Sequence, residues 1–208
     1  PLSRTLDTVG PMAHSAEDAA IALNVLAGHD AEDPASAQSA RVDYTEGIRG
    51  GVRGMRIAVP KEYVWDFMDP QVEAAFRKAM AVFEELGASI DEISLPELEW
   101  VPPIAIGITS AEAASLYGVL AREQGDRLDQ AIRRRIESGM FISAETYLQS
   151  LRARVLFTRR IDEAMRGFDL IATPTVATPA PVQDAETMEI GGTRTNVREA
   201  LLRATRIF

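Results

Sequence analysis

Histidine, lysine and serine are the residue types from which a nucleophile and its base would have to come in this 208-residue chain. Cysteine is absent, so neither a thiol nucleophile nor a thiolate metal ligand is available. His14 precedes a predicted helix start and His29 follows the end of that helix, and both are predicted to be solvated. The two lysines, Lys61 and Lys78, are also predicted to be solvated, whereas serine–lysine chemistry needs a desolvated lysine. We therefore predict no catalytic residue and no metal site in this chain.

Two glycine-containing stretches could bind phosphate in another context. "GIRGGVRG" (47–54) precedes a predicted strand instead of following one, and no helix opens after it, so it is predicted to be a flexible loop. "EIGGTRTN" (189–196) does open a helix, but it too is predicted to be a loop. Asp91 and Glu92 are neighbours on a predicted strand, where they point to opposite faces and cannot form a glycosidase pair.

Arg154 is the charged residue whose position calls for an explanation. A long helix is predicted from Ser143 to about residue 167, and Arg154 lies on its apolar stripe of Tyr147, Leu151, Thr158, Ile161 and Met165. A guanidinium on an otherwise buried face must be paired or must face a cavity. Two interpretations are open: an internal ion pair that reaches the helix edge, or a clamp for a carboxylate or polar substrate.

The composition limits the partners that this chain could have. Its net charge is −9 and its pI is about 4.8, which argues against direct binding of nucleic acid or of an anionic membrane. We find no apolar run that is long enough to span a bilayer and no targeting segment. The chain is therefore expected to be a cytoplasmic protein that acts without a membrane, and no cofactor is implied.

The first half of the chain contains two sets of elements. A helix is predicted over 15–27, capped by Ser15 and ended by Gly28, and its nearly all-apolar surface indicates packing on two sides. A polar surface loop over 29–44 follows. The segment 56–95 then reads as strand, helix and strand, a crossover that is expected to be parallel and right-handed.

The second half is predicted to be mostly helical. Helices are expected from Ser110, over 126–138 and from Ser143, followed by a strand "DLIATPT" (169–175) and a loop over 177–195. A last helix starts at Asn196, with a face of Val197, Leu201, Ala204 and Phe208. Strands that alternate with helices indicate the α/β class, here a mixed β-sheet flanked by helices.

Both ends of the chain are predicted to be truncated. The chain opens on a turn-rich loop without an initiator Met, and the apolar face of the last helix is still running at Phe208. We therefore expect residues 1–208 to be the C-terminal segment of one larger domain, truncated at both ends. Faces left bare by such cuts predict self-association or poor solubility of the isolated chain.

Six stretches of the chain stand in an order that is specific when taken together. They are "PLSRTLDTVGPMAHSAEDAAIALNVLAGHDAEDPAS" (1–36), "GMRIAVP" (54–60), "SAEA" (110–113), "RRRIESGMFISAETY" (133–147), "FDLIATPTVATPAP" (168–181) and "RATRIF" (203–208). In this order they resemble the amidase signature family, over almost the whole chain. Members of that family hydrolyse amides or transfer their nitrogen, using a serine nucleophile, a second serine in a cis peptide and a lysine base.

The resemblance implies where the chemistry would lie. The family's three catalytic residues precede the equivalent of residues 1–11, so they would lie outside this chain. In one branch, the A subunit of the glutamyl-tRNA amidotransferase, an arginine twenty residues before the "PT" pair holds the substrate carboxylate. Arg154 stands twenty residues before Pro174, so the resemblance implies that Arg154 binds substrate, and we add Thr175 of the same pair as a second substrate-binding residue.

Three functions remain open at this point. "SAEAASLYGVLAREQG" (110–125) lacks the motif that follows "SAEA" in the amidotransferase branch, which favours a general amidase acting on a small aryl- or acyl-amide, a carbamate or an allophanate. The amidotransferase subunit is the second hypothesis. A non-catalytic α/β domain that uses Arg154 to bind an anionic ligand, or a structural remnant without activity, is the third.

Overall fold

The computed structural model describes residues 2–33 and 36–208, which fall into two compact units divided between Gly51 and Val52. The predicted surface loop over 29–44 is confirmed as exposed and without regular structure where it is described; Pro34 and Ala35 lie outside the described residues. Whether the chain is a truncated single domain stays a prediction.

The first unit is built around one helix, α1 (Ala16–Leu26), which begins where the sequence predicts. The Ser15 hydroxyl accepts a hydrogen bond from the Asp18 N–H at 3.0 Å, and Gly28 follows the helix with a φ of 142°. The expected packing on two sides is wrong, because α1 has one buried residue, Ala20, and Val25 is 81% exposed. The apolar composition thus predicts the helix correctly, but it does not predict whether other elements cover that helix.

The second unit contains a parallel three-stranded sheet. β1 (Arg56–Pro60), α2 (Pro70–Glu85) and β2 (Ser89–Ile93) form the predicted crossover, and β3 (Leu170–Ile171) pairs with the other side of β1. Both pairings are parallel. This was expected for β1 and β2 of the crossover, whose right-handed sense stays a prediction. The central strand β1 is almost wholly buried, which is typical of an apolar run in a parallel sheet. The third strand is shorter than the predicted 169–175.

Three helices follow the crossover. They are α3 (Val101–Glu123), α4 (Gln130–Gly139) and α5 (Ala144–Ala164), with 3₁₀ turns at Pro96–Trp100 and Gly125–Arg127. The predicted start of α3 at Ser110 is wrong, because the helix already includes Pro102 and Pro103 in its first turn. Proline is tolerated there, since the first N–H groups of a helix have no partner within it. The prediction for α5 is confirmed at Ser143, whose hydroxyl accepts from the Thr146 N–H at 3.1 Å.

Close contacts through glycine hold these helices together. A Cβ built on Gly139 of α4 would overlap the Ser110 carbonyl group, and one built on Gly107 of α3 would overlap the Ser150 side chain of α5. The absence of a side chain at these two positions lets α4 and α5 approach the backbone of α3. The three helices therefore form one layer with α3 in its middle.

One helical stretch, Pro96–Glu123, is long and apolar enough to cross a membrane by length and composition, with a mean hydropathy of 1.5 over its best 18-residue window. This corrects the expectation that the sequence contains no such run. The same stretch packs against α4 and α5 and carries Ser110 and Glu112 on its buried side. This packing is the arrangement of a core helix in a globular domain.

The predicted loop over 177–195 contains a hairpin that the sequence reading missed. β4 (Thr187–Ile190) and β5 (Thr193–Asn196) pair antiparallel around Gly191 and Gly192. Both glycines have positive φ angles, 57° and 79°, as a two-residue type I′ turn requires.

The last helix, α6 (Val197–Leu202), begins as predicted, because the Asn196 side chain accepts from the Arg198 N–H at 2.9 Å. It is shorter than expected, and a 3₁₀ turn (Thr205–Ile207) completes the chain. Ile207 is 8% exposed, so the expectation that it is bare is wrong, whereas Phe208 is 69% exposed.

A small core joins the hairpin and α6 to the loop that follows β1. Met68, Ala177, Ile190 and Ala200 form its buried cluster. The backbone of Ala177 is held on both sides, because its carbonyl accepts from the Asp69 N–H at 2.8 Å and its N–H donates to the Ala200 carbonyl at 3.2 Å. The segment after β3 is thereby fixed to both α2 and α6.

Candidate substrate site

Arg154 lies on the buried face of α5, as predicted. Ser150 and Phe157 are the buried residues of α5, and they stand four residues before and three residues after Arg154, on the same side of the helix. Arg154 itself is half-buried. The composition of the predicted stripe is wrong in part, because Thr158 is exposed and Ser150 is buried against Gly107 of α3.

A tyrosine and a glutamate meet between α3 and α5, close to Arg154. The Tyr147 hydroxyl donates to Oε1 of Glu112 at 2.9 Å, and Glu112 is 9% exposed. Burial raises the pKa of Tyr147 above its ordinary value, the hydrogen bond and negative charge of Glu112 raise it further, and the positive charge of Arg154 acts in the opposite direction. The hydroxyl of Tyr147 is thus held in its protonated form, in electrostatic range of one anion and one cation.

A cavity of about 340 Å³ opens beside this pair. Its walls come from α3 and from the start of α5, and its polar lining consists of Glu112, Ser115, Ser143 and Tyr147. Arg154 lies about two helical turns farther along α5 than Tyr147, and therefore on the same side of that helix. The hydroxyl groups and the carboxylate of this lining can hydrogen-bond a small polar molecule.

Thr175, the second predicted substrate-binding residue, lies on a different element. It is exposed and follows the buried Pro174, in the segment whose backbone is held at Ala177. The structure thus presents Thr175 to solvent from a fixed backbone. It places this residue after β3 and Arg154 on α5, and the role of both in binding substrate stays a prediction.

The residues that could have supplied a base or nucleophile are exposed. His14, His29, Lys61 and Lys78 all lie at the surface, so their predicted solvation is confirmed. The Lys61 Nζ atom is 4.0 Å from Oε2 of Glu92. Within residues 2–33 and 36–208, no group of three or more His, Cys, Asp or Glu side chains is arranged to hold a metal ion.

A second arginine, Arg203, forms a buried cluster that sequence reasoning missed. Its Nε atom donates to the Tyr63 carbonyl at 2.7 Å and its guanidinium pairs with Asp66. The guanidinium carbon also lies 3.8 Å from the ring centroid of Tyr63 and 4.7 Å from that of Phe67. We call these four residues the Arg203 cluster. The sequence signal that could have found it is "RATRIF" (203–208), where Arg203 follows the apolar pair Leu201 and Leu202 directly.

Glu112 was also missed as a site residue, although it lies inside the quoted "SAEA" stretch. Its signal was a lone carboxylate in a run of small residues on a predominantly apolar helix. A charge in such a position must be hydrogen-bonded, and Tyr147 supplies a donor.

The order of these elements and the sequence that builds them define a known class. Residues 1–205 match the family described as Amidase, and the chain belongs to this family. It is 37% identical to an amidase of Pseudomonas putida, over 86% of this chain and 38% of that protein. It is 36% identical to the A subunit of the glutamyl-tRNA(Gln) amidotransferase of Ligilactobacillus salivarius (strain UCC118), over 85% of this chain and 41% of that protein. The chain therefore spans about two fifths of the length of these curated relatives.

Solved structures give the same result for the fold. The chain superposes with a TM-score of 0.91 and 27% identity on a protein of a vestigial complex that reveals the evolutionary origins of an s-triazine catabolic enzyme. It superposes with a TM-score of 0.84 and 25% identity on a crystal structure of an amidase. Both alignments cover 100% of this chain and 44% of the other. The predicted family and the predicted α/β class are confirmed.

Proposed function

We propose that this chain forms part of the substrate pocket of an enzyme that hydrolyses the C–N bond of a small amide through a serine acyl-enzyme. The observation that carries the proposal is the Glu112–Tyr147 pair in the lining of a 340 Å³ cavity, with Arg154 in electrostatic range of Tyr147, in a chain of the amidase family. The serine nucleophile, its partner serine and the lysine base are proposed to come from sequence outside this chain.

The three residues would bind and orient the substrate. The Arg154 guanidinium offers a fork of donors to a carboxylate or a polar acyl group. The Tyr147 hydroxyl keeps its proton at neutral pH because its pKa is raised, and its bond to Glu112 fixes its direction. Thr175, on a backbone held at Ala177, would contribute a hydroxyl from the segment after β3.

In this mechanism the serine oxygen attacks the amide carbon and an acyl-enzyme ester forms as the C–N bond breaks. The amine leaves after it has taken a proton, and water then cleaves the ester to release the acid and restore the serine. An oxyanion hole outside this chain would stabilise the charge that develops on the carbonyl oxygen. The residues described above would hold the acyl end of the substrate during both steps.

Ligand binding to the chain tests the pocket directly. We expect calorimetric titration to detect an amide that carries a carboxylate, such as succinamate, and to detect a matched uncharged amide more weakly. Arg154→Gln should weaken succinamate binding about tenfold, because a hydrogen bond to a charged group contributes about 1.5–3 kcal/mol. Arg152→Gln is the matched control, since Arg152 is exposed on the same helix. Equal losses in both variants would argue against the clamp.

Measurements of turnover test whether the catalytic residues lie outside this chain. The chain by itself is expected to hydrolyse neither glutamine nor a panel of simple amides. A longer protein that joins this chain to an upstream Gly/Ser-rich stretch with a lysine is expected to hydrolyse at least one of them. Turnover by the isolated chain that a point substitution within it abolishes would overturn the proposal.

The amidotransferase subunit is the second candidate, and its support is the 36% identity to such a subunit. Glutamine should then be the preferred amide of the longer protein, with ammonia passed to a partner instead of released. The net charge of −9 argues against direct contact with tRNA. A preference for aryl or acyl amides over glutamine would favour the general amidase.

We also propose a cytoplasmic location, supported by an acidic sequence without cysteine, and self-association of the isolated chain. Exposed apolar side chains support the second point, among them Val25, Phe141 and Phe208. Sedimentation over a range of concentrations should show mass increasing with concentration. A monodisperse monomer that melts sharply and binds no hydrophobic dye would contradict it.

A further inference from the structure

Helix α2 leaves a groove between itself and the sheet. None of its residues is buried, although its apolar side chains Phe76 and Met80 point to the same side. These side chains line a cavity of about 440 Å³, whose other wall is formed by Val59 of β1 and Ile90 of β2. This volume lies within the range in which proteins bind small organic molecules.

Two aromatic rings form one end of the groove. The centroids of Trp65 and Phe76 are 5.3 Å apart, with the rings at 66° to each other. The indole of Trp65 is fixed by a hydrogen bond from its Nε1 to the Pro60 carbonyl at 2.7 Å. The Arg77 guanidinium lies 5.9 Å from the Trp65 ring centroid, so this ring already has a cation beside it. Cations favour such a position because the face of an aromatic ring is negative.

Among the described charged residues that line the rim of the groove, one carboxylate is not part of an ion pair. Arg77 is bonded to Glu73 at 2.6 Å, and Lys61 lies 4.0 Å from Glu92. Glu84 lines the same groove, and in the described part of the chain its carboxylate has neither a hydrogen bond nor an ion pair. Two cations and three carboxylates leave the rim with a net negative charge, and the chain as a whole carries −9. The potential in the groove therefore favours a cation.

We propose that this groove binds a primary aralkylamine, with its ring against Trp65 and Phe76, its ammonium group at Glu84, and an alkyl linker that spans the roughly two helical turns between Phe76 and Glu84. The apolar walls select a ligand with a flat hydrophobic body, and the unpaired carboxylate selects a positive end over a negative one. A bare metal ion does not fit, because a single free carboxylate beside aliphatic and aromatic walls does not make a coordination shell. This site is separate from the Glu112–Tyr147–Arg154 grouping and does not depend on amide hydrolysis.

Fluorescence of Trp65 tests the proposal in the chain as it stands. The chain has two tryptophans, so Trp100→Phe leaves Trp65 as the only reporter. This variant is titrated with 4-phenylbutylamine, 4-phenylbutan-1-ol and 5-phenylpentanoate, which share the ring and a linker of sufficient length and differ in the charge of the polar end. We expect a saturable change with the amine, weaker binding of the alcohol, and binding of the anion that is at least about tenfold weaker than that of the amine.

Two variants separate the site from a general charge effect. Glu84→Gln in the same background should weaken binding of the amine by about three- to fivefold and leave binding of the alcohol unchanged, as expected for a partly exposed ion pair. Glu85→Gln removes the same charge from the next residue of α2, which is exposed and does not line the groove, and should leave both unchanged. The absence of a saturable signal, equal affinities for the three ligands, or equal losses in the two variants would overturn the proposal.

Discussion

The Arg203 cluster and the surroundings of Arg154 each contain an arginine side chain, but the environment of that side chain differs between the two regions. The Arg203 side chain is 9% exposed, and its guanidinium is engaged by the Tyr63 carbonyl, by Asp66 and by two aromatic rings. Arg154 is half-buried, near a Tyr147–Glu112 pair and a cavity. The two arginines thus differ in burial and in surroundings: Arg203 is enclosed by a carbonyl, a carboxylate and two rings, whereas Arg154 is half-buried and in electrostatic range of Tyr147.

The Arg203 cluster also holds Tyr63 in an unfavourable backbone conformation. Tyr63 has a φ of 68°, and a non-glycine residue in this region costs about 1–3 kcal/mol unless its surroundings enforce it. Arg203, which is 140 residues away in sequence, bonds to the carbonyl of that same residue. One guanidinium therefore fixes both the loop after β1 and the end of α6. Around Arg154, by contrast, helix packing through glycine supplies the rigidity.

The largest effect is expected from Arg203→Met. This change removes the donor to the Tyr63 carbonyl and the cation beside two aromatic rings, while Asp66 is 53% exposed and stays solvated. It should lower the free energy of unfolding by about 2–4 kcal/mol. Arg198→Met, at an exposed position of α6, should change it by less than about 0.5 kcal/mol. Urea unfolding measures both. If the two variants have similar midpoints, Arg203 does not hold the cluster together.

The next effect tests the packing of the helical layer. Gly139→Ala should destabilise the chain by about 1–3 kcal/mol, because the new methyl group would overlap the backbone of Ser110. Gly118→Ala is the control, since a Cβ there would lie 3.4 Å from the Met140 methyl group, an ordinary contact. It should stabilise α3 by about 0.5–1 kcal/mol. Thermal unfolding that moves in the same direction for both variants would disagree with the close approach of α4 to α3.

A smaller effect is expected from Tyr147→Phe. It removes the hydroxyl that donates to the buried Glu112 carboxylate, and should destabilise the chain by about 1–2 kcal/mol. It should also weaken binding of a carboxylate-bearing amide, because the hydroxyl is part of the proposed pocket. Stability from urea unfolding and affinity from calorimetry are measured on the same sample. Loss of stability with unchanged affinity would remove Tyr147 from the pocket while leaving its structural role.

The smallest effect is expected from the other tyrosine. Within the described residues the Tyr63 hydroxyl is buried without a hydrogen-bond partner, so Tyr63→Phe should be neutral or should stabilise by up to about 1 kcal/mol at neutral pH. Tyr147→Phe is the same chemical change, and it is expected to have the opposite effect. A clear loss of stability in Tyr63→Phe would indicate a partner for this hydroxyl.

The two tyrosines also predict the response to alkali. Burial is the main cause that raises the pKa of each above the ordinary value of 10.0. Their contribution to stability is fully present below the pKa of an unfolded tyrosine and is lost as the pH rises through the raised value, because the unfolded chain gives up its proton first. Tyr63→Phe should therefore flatten the fall in stability above pH 10, and an unchanged profile would contradict the burial of that hydroxyl.

Local sequence determined where four of the helices, α1, α2, α5 and α6, begin and which strands form the crossover. Ser15, Asp69, Ser143 and Asn196 were all predictable as helix starts, because each caps a helix through a hydrogen bond to an N–H two or three residues away. The apolar run of β1 likewise predicted a strand, which the structure places, buried, at the centre of the sheet. These interactions span a few residues, so the sequence contains both partners side by side.

The tertiary structure alone decided which faces are covered and which charges are buried. The burial of Ser150 of α5 is set by Gly107 on another helix, and the burial of Arg203 by a loop 140 residues away. Glu112 became a site residue only when α5 brought Tyr147 to it. A pattern along the chain records the preference of each residue for burial, but it does not record which distant residue arrives to satisfy that preference.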